Sequence, residues 1–326
     1  MRTIIRNFSQ QFSYGPKIEN RGRWKKYTRF VVLGMGGSNL AAPLLLIGKP
    51  ELRISVHRDY GLPVIFESEK AETLVICNSY SGNTEEVLDG FEEAMRQGLN
   101  VAAISIGGKL LERAKETGAP YIQMPDTGIQ PRMALGFNTL ALAVMMGEEE
   151  IVTELHRLTE MPLTRDRELM AFLEEQGRTL AERIRGKVPV IYSSRHNRAI
   201  AYNWKIKLNE TGKIPAFFNV FPELNHNEMT GFARADSTHA LSERFYFIFL
   251  KDAEDHPRVQ RRMDVTEKLY RERGLPVEAV PLEGNTVWEK IFSSLLLADW
   301  TALYLAEHYG VEAVEVPMVE ELKKMI

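Results

Sequence analysis

Apolar positions along the chain follow two alternating rhythms. Short runs rich in β-branched residues, "RFVVLG", "LRISVHR", "TLVICNS", "NVAAISI" and "PYIQMP", read as strands. Between them "SNLAAPLLL", "TEEVLDGFEEAMRQG", "KLLERAKETG" and "PRMALGFNTLALAVMMG" carry helical spacing. In the second of these, Val87, Phe91, Ala94 and Met95 share one face, which argues an amphipathic helix. Such alternation predicts an α/β fold with a parallel sheet covered on both sides. A charge-rich stretch, "TRDRELMAFLEEQGRTLAERIRG", reads as a connecting helix, because Leu169, Phe172, Leu173, Leu180 and Ile184 give it an apolar stripe. A second series then runs through "VPVIYSS", "HALSERFYFIFLKD" and "PVEAVPLEG" to the helices "TVWEKIFSSLLLADWTALYLAEHYG" and "MVEELKKMI". The expected organisation is an N-terminal segment over 1–27, a first α/β domain over 28–150, a connecting helix over 151–186 and a second α/β domain over 187–326. Both domains are expected to be doubly wound. No residue-level repeat joins them.

Bulk properties narrow the function. The 326 residues suffice for two domains, each burying its own core. With 26% charged residues and a net charge of −3, no strong field draws the chain to nucleic acid or an anionic membrane. An anionic ligand must therefore be caught locally. The single cysteine, Cys77, lies in an apolar strand and cannot form an internal disulfide, which fits a reducing cytoplasm. The N-terminus "MRTIIRNFSQQFSYG" lacks the apolar core of a signal peptide, and no apolar run approaches the roughly 20 residues of a membrane span. The expectation is a soluble, unprocessed, cytoplasmic protein.

Two loops carry the first functional signal. "VVLGMGGSNL" runs from a strand into glycines as a dinucleotide fold does, but Asn39 stands where the third glycine belongs and Asp59 is only loosely placed for a ribose. The second loop, "SYSGNT", packs Ser79, Ser81, Asn83 and Thr84 between a strand and the helix starting near Glu85. Helix N-termini present unpaired amides and partial positive charge, so added hydroxyls make a phosphate cradle without metal or lysine. Simple capping, with Asn83 and Glu86 as a capping box, would need only one of those hydroxyls. If the first sheet has flavodoxin-like order, the loops after strands one and three meet at the switch point, bringing Gly37 and Ser38 beside Ser79 to Thr84. Glu85 and Glu86 would repel an anion, so both are expected to point away along the helix flank, and a compact monophosphate is favoured.

Candidates for acid–base chemistry lie in "KLNETGKIPAFFNVFPELNHNEMTGF". Glu210 ends a helical run before Thr211 and Gly212, and His226 follows Pro222. A carboxylate and an imidazole on element ends suit proton transfer near neutral pH, although each residue type is also common on a solvated surface. Arg132, after Pro131 in the first turn of a predicted helix, is placed to bind substrate oxygens or to be an ordinary surface arginine. The other histidines show no ligand spacing, so no metal site is expected. "HNRAI", the matching loop of the second half, lacks the hydroxyl cluster, and no second phosphate site is predicted there.

The motifs "GMGGS", "SYSGNTEE", "GGKL", "PRMAL", "NETGKIPA", "PELNHNEMTGF" and "ADWTALYLAEHYGVEAVEVPMVEELKK" occur in an order that resembles the bifunctional phosphoglucose/phosphomannose isomerase family, from about residue 28 to the end. That resemblance implies two sugar-isomerase (SIS) domains and an aldose–ketose isomerase interconverting glucose 6-phosphate and mannose 6-phosphate with fructose 6-phosphate through a cis-enediol. It implies that Gly37, Ser38, Ser79, Ser81 and Thr84 bind the 6-phosphate, that Arg132 stabilises the enediolate, and that Glu210 is the base. His226 would open the sugar ring and Lys323 would lie near the ring oxygen. It further implies no cofactor, no metal, and a homodimer in which His226 is supplied across the interface. The competing readings are a non-catalytic sugar-phosphate regulator, an isomerase of another sugar phosphate, and a nicotinamide oxidoreductase.

Overall fold

The computed structural model describes residues 1–160 and 167–325. The part of the expected connecting helix at 161–166, and Ile326 at the end of the last helix, lie outside the described residues. The chain divides into two compact units, Asn7–Met161 and Pro162–Ile326, with Met1–Arg6 joined to the latter.

The first unit holds five parallel strands, β1 (Arg29–Leu33), β2 (Arg53–His57), β3 (Thr73–Asn78), β4 (Asn100–Ser105) and β5 (Tyr121–Gln123), in the order β2-β1-β3-β4-β5. This is the expected flavodoxin-like order, and the chain reverses direction across the sheet between β1 and β3. Every residue of β3 is buried, as a strand covered on both faces requires. Helices α1 (Ala42–Gly48), α2 (Glu85–Arg96), α3 (Gly108–Thr117), α4 (Leu135–Met146) and α5 (Glu149–Arg157) complete the unit. On one face Val87, Phe91 and Ala94 of α2 pack over Leu33, Val75 and Cys77, with Met95 half-buried at the margin. Burial in this apolar layer pushes the Cys77 thiol far up, so it is an inert core residue.

The N-terminal segment contributes to this unit as well. Glu19 bridges Tyr121 of the edge strand in antiparallel fashion, and the Tyr14 hydroxyl donates to the Gln123 carbonyl at 2.7 Å. Unpaired strand edges invite association with other chains, and this segment covers one. Gln11, buried, donates to the Met133 carbonyl and accepts from the Gly136 amide.

The second unit has four parallel strands, β6 (Val188–Ser194), β7 (Phe217–Phe221), β8 (Phe245–Lys251) and β9 (Val277–Pro281), ordered β7-β6-β8-β9. Its longer helices are α6 (Arg167–Ile184), α7 (Arg198–Glu210), α8 (Pro257–Glu272), α9 (Val287–Tyr309) and α10 (Pro317–Met325). Of the expected connecting segment 151–186, Arg167–Ile184 form α6, whereas 151–157 belong to α5 of the first unit and 158–160 to a 3-10 turn after it. Gly177 of α6 lies so close to α9 that an added Cβ would come within 2.4 Å of the Trp300 Cβ. Arg2 from the chain start pairs with Glu174 and Glu307, both at 2.6 Å, and lies over the Tyr304 ring. Strand β7 and helix α8 were not among the elements read from the sequence.

Candidate active site

The glycine loop after β1 and the hydroxyl loop after β3 are joined by hydrogen bonds. The Tyr80 amide donates to Ser38 Oγ at 2.8 Å, and the buried Asn78 side chain donates to the Ser38 carbonyl at 2.7 Å. Asn138 on α4 adds a second donor to that carbonyl at 3.2 Å. Ser38 is thereby held from three directions, although only its hydroxyl was singled out in the sequence.

The hydroxyls of Ser38, Ser79 and Ser81 each accept a backbone proton, which leaves their own protons free to donate elsewhere. Ser38 accepts from Tyr80, and the exposed Ser81 accepts from the Asn83 amide at 3.2 Å. Ser79 accepts from the Gly82 amide at 3.1 Å and pairs with the Thr84 hydroxyl at 2.8 Å, so that pair retains one donor. Thr84 is the N-cap of α2, yet its side chain makes no capping bond. The first-turn amides of α2 are left without a side-chain acceptor, the arrangement that favours an anion.

The capping-box alternative is corrected by the same geometry. Asn83 reaches away from α2, accepting from the Lys109 amide at the start of α3 at 3.2 Å. Gly82 has φ +71° and stands so close to Gly107 that a Cβ would come within 1.9 Å of its carbonyl oxygen, so only glycine fits that turn. Glu85 lies against the Tyr60 phenol, which burial and the Glu85, Glu86 and Asp89 carboxylates push up. Asp89 accepts from the Gly61 amide at 2.7 Å. The acidic flank of α2 therefore turns toward the loop after β2, as expected. Asp59, the dinucleotide candidate, accepts from the amide of Tyr60 next to it.

Arg132 is not the ordinary surface arginine of the second reading. It is neither on the surface nor in the first turn of a long helix: it is 1% exposed, in a separate 3-10 turn, Pro131–Met133, one residue before α4. Gly37 permits that placement, since a Cβ there would lie 2.6 Å from the Arg132 amide nitrogen. The turn is held from behind by the Gln11 side chain. Gly37 and Arg132 are thus brought together.

The remaining candidates belong to the second unit and sit on three separate elements. Glu210 is the last residue of α7 and is half-buried. Two features hold that helix end. Lys207, one turn earlier, forms a buried ion pair with Asp299 of α9 at 2.6 Å. Lys213, at φ +56°, donates to the Glu210 carbonyl at 2.5 Å and to the carbonyl of Glu315 ahead of α10. His226 ends the 3-10 turn Glu223–His226 and is exposed. Lys323 on α10 is exposed and pairs with Glu320 at 2.7 Å. Among the described residues no group of three His, Cys, Asp or Glu is placed to hold a metal ion, and no helix is long and apolar enough to cross a membrane.

Residues 173–326 match the family described as bacterial phospho-glucose isomerase C-terminal SIS domain. The bifunctional phosphoglucose/phosphomannose isomerase of Aquifex aeolicus is 35% identical over 328 residues, covering 98% of this chain and 96% of that protein. The chain belongs to the bifunctional phosphoglucose/phosphomannose isomerase family. Another member, from Thermoplasma volcanium, is 35% identical over 304 residues and 92% of each chain. Among solved structures, the C-terminal domain of glucosamine-fructose-6-phosphate aminotransferase from Francisella tularensis superposes with a TM-score of 0.69 at 14% identity, over 97% of both chains. At that identity the likeness concerns the fold, and it agrees with a pair of parallel-sheet SIS domains.

Proposed function

We propose that this protein is an aldose–ketose isomerase that interconverts glucose 6-phosphate and mannose 6-phosphate with fructose 6-phosphate. The observation that carries the reading is the cradle of Ser38, Ser79, Ser81 and Thr84 over the uncapped start of α2, in a chain similar along its whole length to enzymes of that name. Hydroxyl protons and first-turn amides suit a compact, fully charged phosphate, and the acids of α2 lie elsewhere.

In this reading the cradle holds the 6-phosphate and Gly37 keeps Arg132 beside it. Glu210 removes the proton from the carbon next to the carbonyl, and the Arg132 guanidinium stabilises the oxyanion that develops. A planar cis-enediol can be reprotonated on either face of C2, which accounts for two epimeric aldoses from one site. His226 assists ring opening and Lys323 lies at the ring oxygen. The steps move protons within the sugar and call on no redox cofactor. A homodimer fits the exposure of His226 and of Met318, Leu322 and Met325 along one side of α10, an apolar stripe suited to a second copy.

The test is a coupled assay on fructose 6-phosphate in the presence of EDTA, scoring glucose 6-phosphate and mannose 6-phosphate separately. Wild type is expected to form both, and Glu210→Gln to lose about 10²–10⁴-fold in kcat with KM little changed. A Glu210→Gln enzyme with undiminished turnover would remove Glu210 as the base.

A further inference from the structure

His226 rides on a loop too short to hold itself. Its turn spans four residues, Glu223–His226, and the helix after it, Glu228–Gly231, spans four more. Segments of this length have no stability of their own, so whatever orders the imidazole must come from outside them. On the upstream side Leu224 is fully buried in the core of the second unit, and Asn225 donates to Thr266 Oγ1 on α8 at 2.8 Å.

On the downstream side Met229 and Phe232 pack against the same core, and the polar foothold next to the imidazole is Glu228. Its two carboxylate oxygens are each taken by a different strand: the Tyr192 hydroxyl of β6 donates to Oε1 and the Asn219 amide of β7 donates to Oε2. Asn227 between them braces the loop, accepting from the Glu228 amide and donating to Glu223 at 2.8 Å. Tyr192 is fully buried, ringed by Phe221, Phe247, Phe249 and Tyr270. Burial, together with Tyr270 and Glu228, pushes its phenol far up, so it stays protonated and remains a donor. Both donors are neutral, and an ionised carboxylate is the group that accepts from two neutral donors most strongly.

We propose that Glu228 is a positioning residue for His226, clamping the loop to β6 and β7 so that the imidazole is presented in one orientation. The inference rests on the assignment of His226 to ring opening. Releasing the clamp leaves the proton transfer at C1 and C2 intact and slows the step that precedes it, because small misplacements of a catalytic group are costly.

Ring opening can be followed without isomerisation, as enzyme-accelerated interconversion of the α and β anomers of glucose 6-phosphate observed by NMR. In a Glu210→Gln background, which stops proton transfer, anomerisation should persist, and adding Glu228→Ala should slow it about 10-fold or more. Glu228→Gln, which keeps an acceptor for Asn219, should recover most of that loss. His226→Ala should slow anomerisation, and Glu228→Ala on top of it should add nothing, since both act through one imidazole. Unfolding midpoints of all variants separate a failure to fold from a loss of presentation. Additive losses, or an unchanged anomerisation rate in folded Glu228→Ala, would overturn the positioning role alone. If His226→Ala anomerises at the wild-type rate, the assignment of His226 falls first and this inference with it.

Discussion

The two units place their first and third strands side by side, and at the carboxyl ends of those strands they do opposite things. In the first unit, the loops after β1 and β3 meet as a neutral cradle: Ser38, Ser79 and Thr84 face each other with amides between them. In the second, the loops after β6 and β8 meet over buried charge. Asn197 donates to Asp252 at 3.0 Å, while Lys290 of α9 donates to Asp252 at 2.9 Å and Glu254 at 2.8 Å. Asp252, Asp255 and Lys290 are 4%, 6% and 6% exposed, so two carboxylates and one ammonium fill the place where the first unit has hydroxyls and amides. A phosphate arriving there would meet negative charge in a region of low dielectric. The shared topology brings two loops together in both units, and the side chains there decide whether hydroxyls and amides or an internal ionic network occupy the meeting point.

Importing the second unit's charge into the first makes the sharpest break. Ser79→Asp puts a carboxylate in the cradle, and like charges in contact cost several kcal/mol, so kcat/KM for the sugar phosphate should fall by ~10³-fold or more. The steady-state assay checks this against the unfolding midpoint of the variant. An active Ser79→Asp would remove the cradle as the phosphate site.

The converse change removes the second unit's compensating charge. Lys290→Met leaves Asp252 buried without its ammonium, a loss of about 3–5 kcal/mol in urea unfolding at neutral pH. The pH dependence has a definite sign. Burial raises the Asp252 carboxyl, but the Glu254 amide, Lys290 and Asn197 together hold it below its ordinary value. Its contribution is present above about pH 4 and lost as pH falls through the depressed folded value. Wild type and Lys290→Met should therefore converge in acid. Curves that stay parallel down to pH 2 would mean that the pair contributes nothing through its charge.

Asp255 gives the smallest effect, with the opposite sign. Burial pushes its carboxyl up, so the folded protein holds the proton more tightly than the unfolded chain does. Stability from this group is present in acid and declines as pH rises from about 4 through the raised folded value. Asp255→Asn should be neutral in acid and slightly stabilising at neutral pH, measured as the change in Tm between pH 3 and pH 7. A destabilised variant at neutral pH would show that the ionised carboxylate is needed there.

Much of the first unit is legible in the sequence. The strands of the first unit stand out as apolar runs, and their alternation with helices implies a parallel sheet, whereas the flavodoxin-like order entered only as an assumption that the structure bears out. The cluster in "SYSGNT" already implied more than a cap, because one hydroxyl suffices for capping and three were present. Strand β7 was missed for a physical reason: at the sheet edge only Phe221 is fully buried, the three residues before it are partly buried and Phe217 is 55% exposed, so the two-residue alternation is blurred. Helix α8 was missed because only Met263, Thr266 and Tyr270 are buried among many charges, a stripe too thin to stand out. Arg132 was misplaced because Pro131 does begin a turn, but a 3-10 turn held by Gln11, more than a hundred positions upstream, and such a partner leaves no mark in local spacing.

The sequence by itself determined the element types, the parallel topology and the residue kinds available at each loop, since these follow from periodicities a few residues long. Tertiary structure decided which charged groups are buried and which are paired: Arg132 under Gly37, Asp252 with Lys290, Lys207 with Asp299, Glu228 between two strands. The physical reason is that desolvation and hydrogen-bond satisfaction depend on everything packed around a group. That surrounding comes from distant parts of the chain, and it exists only once the sheets have formed.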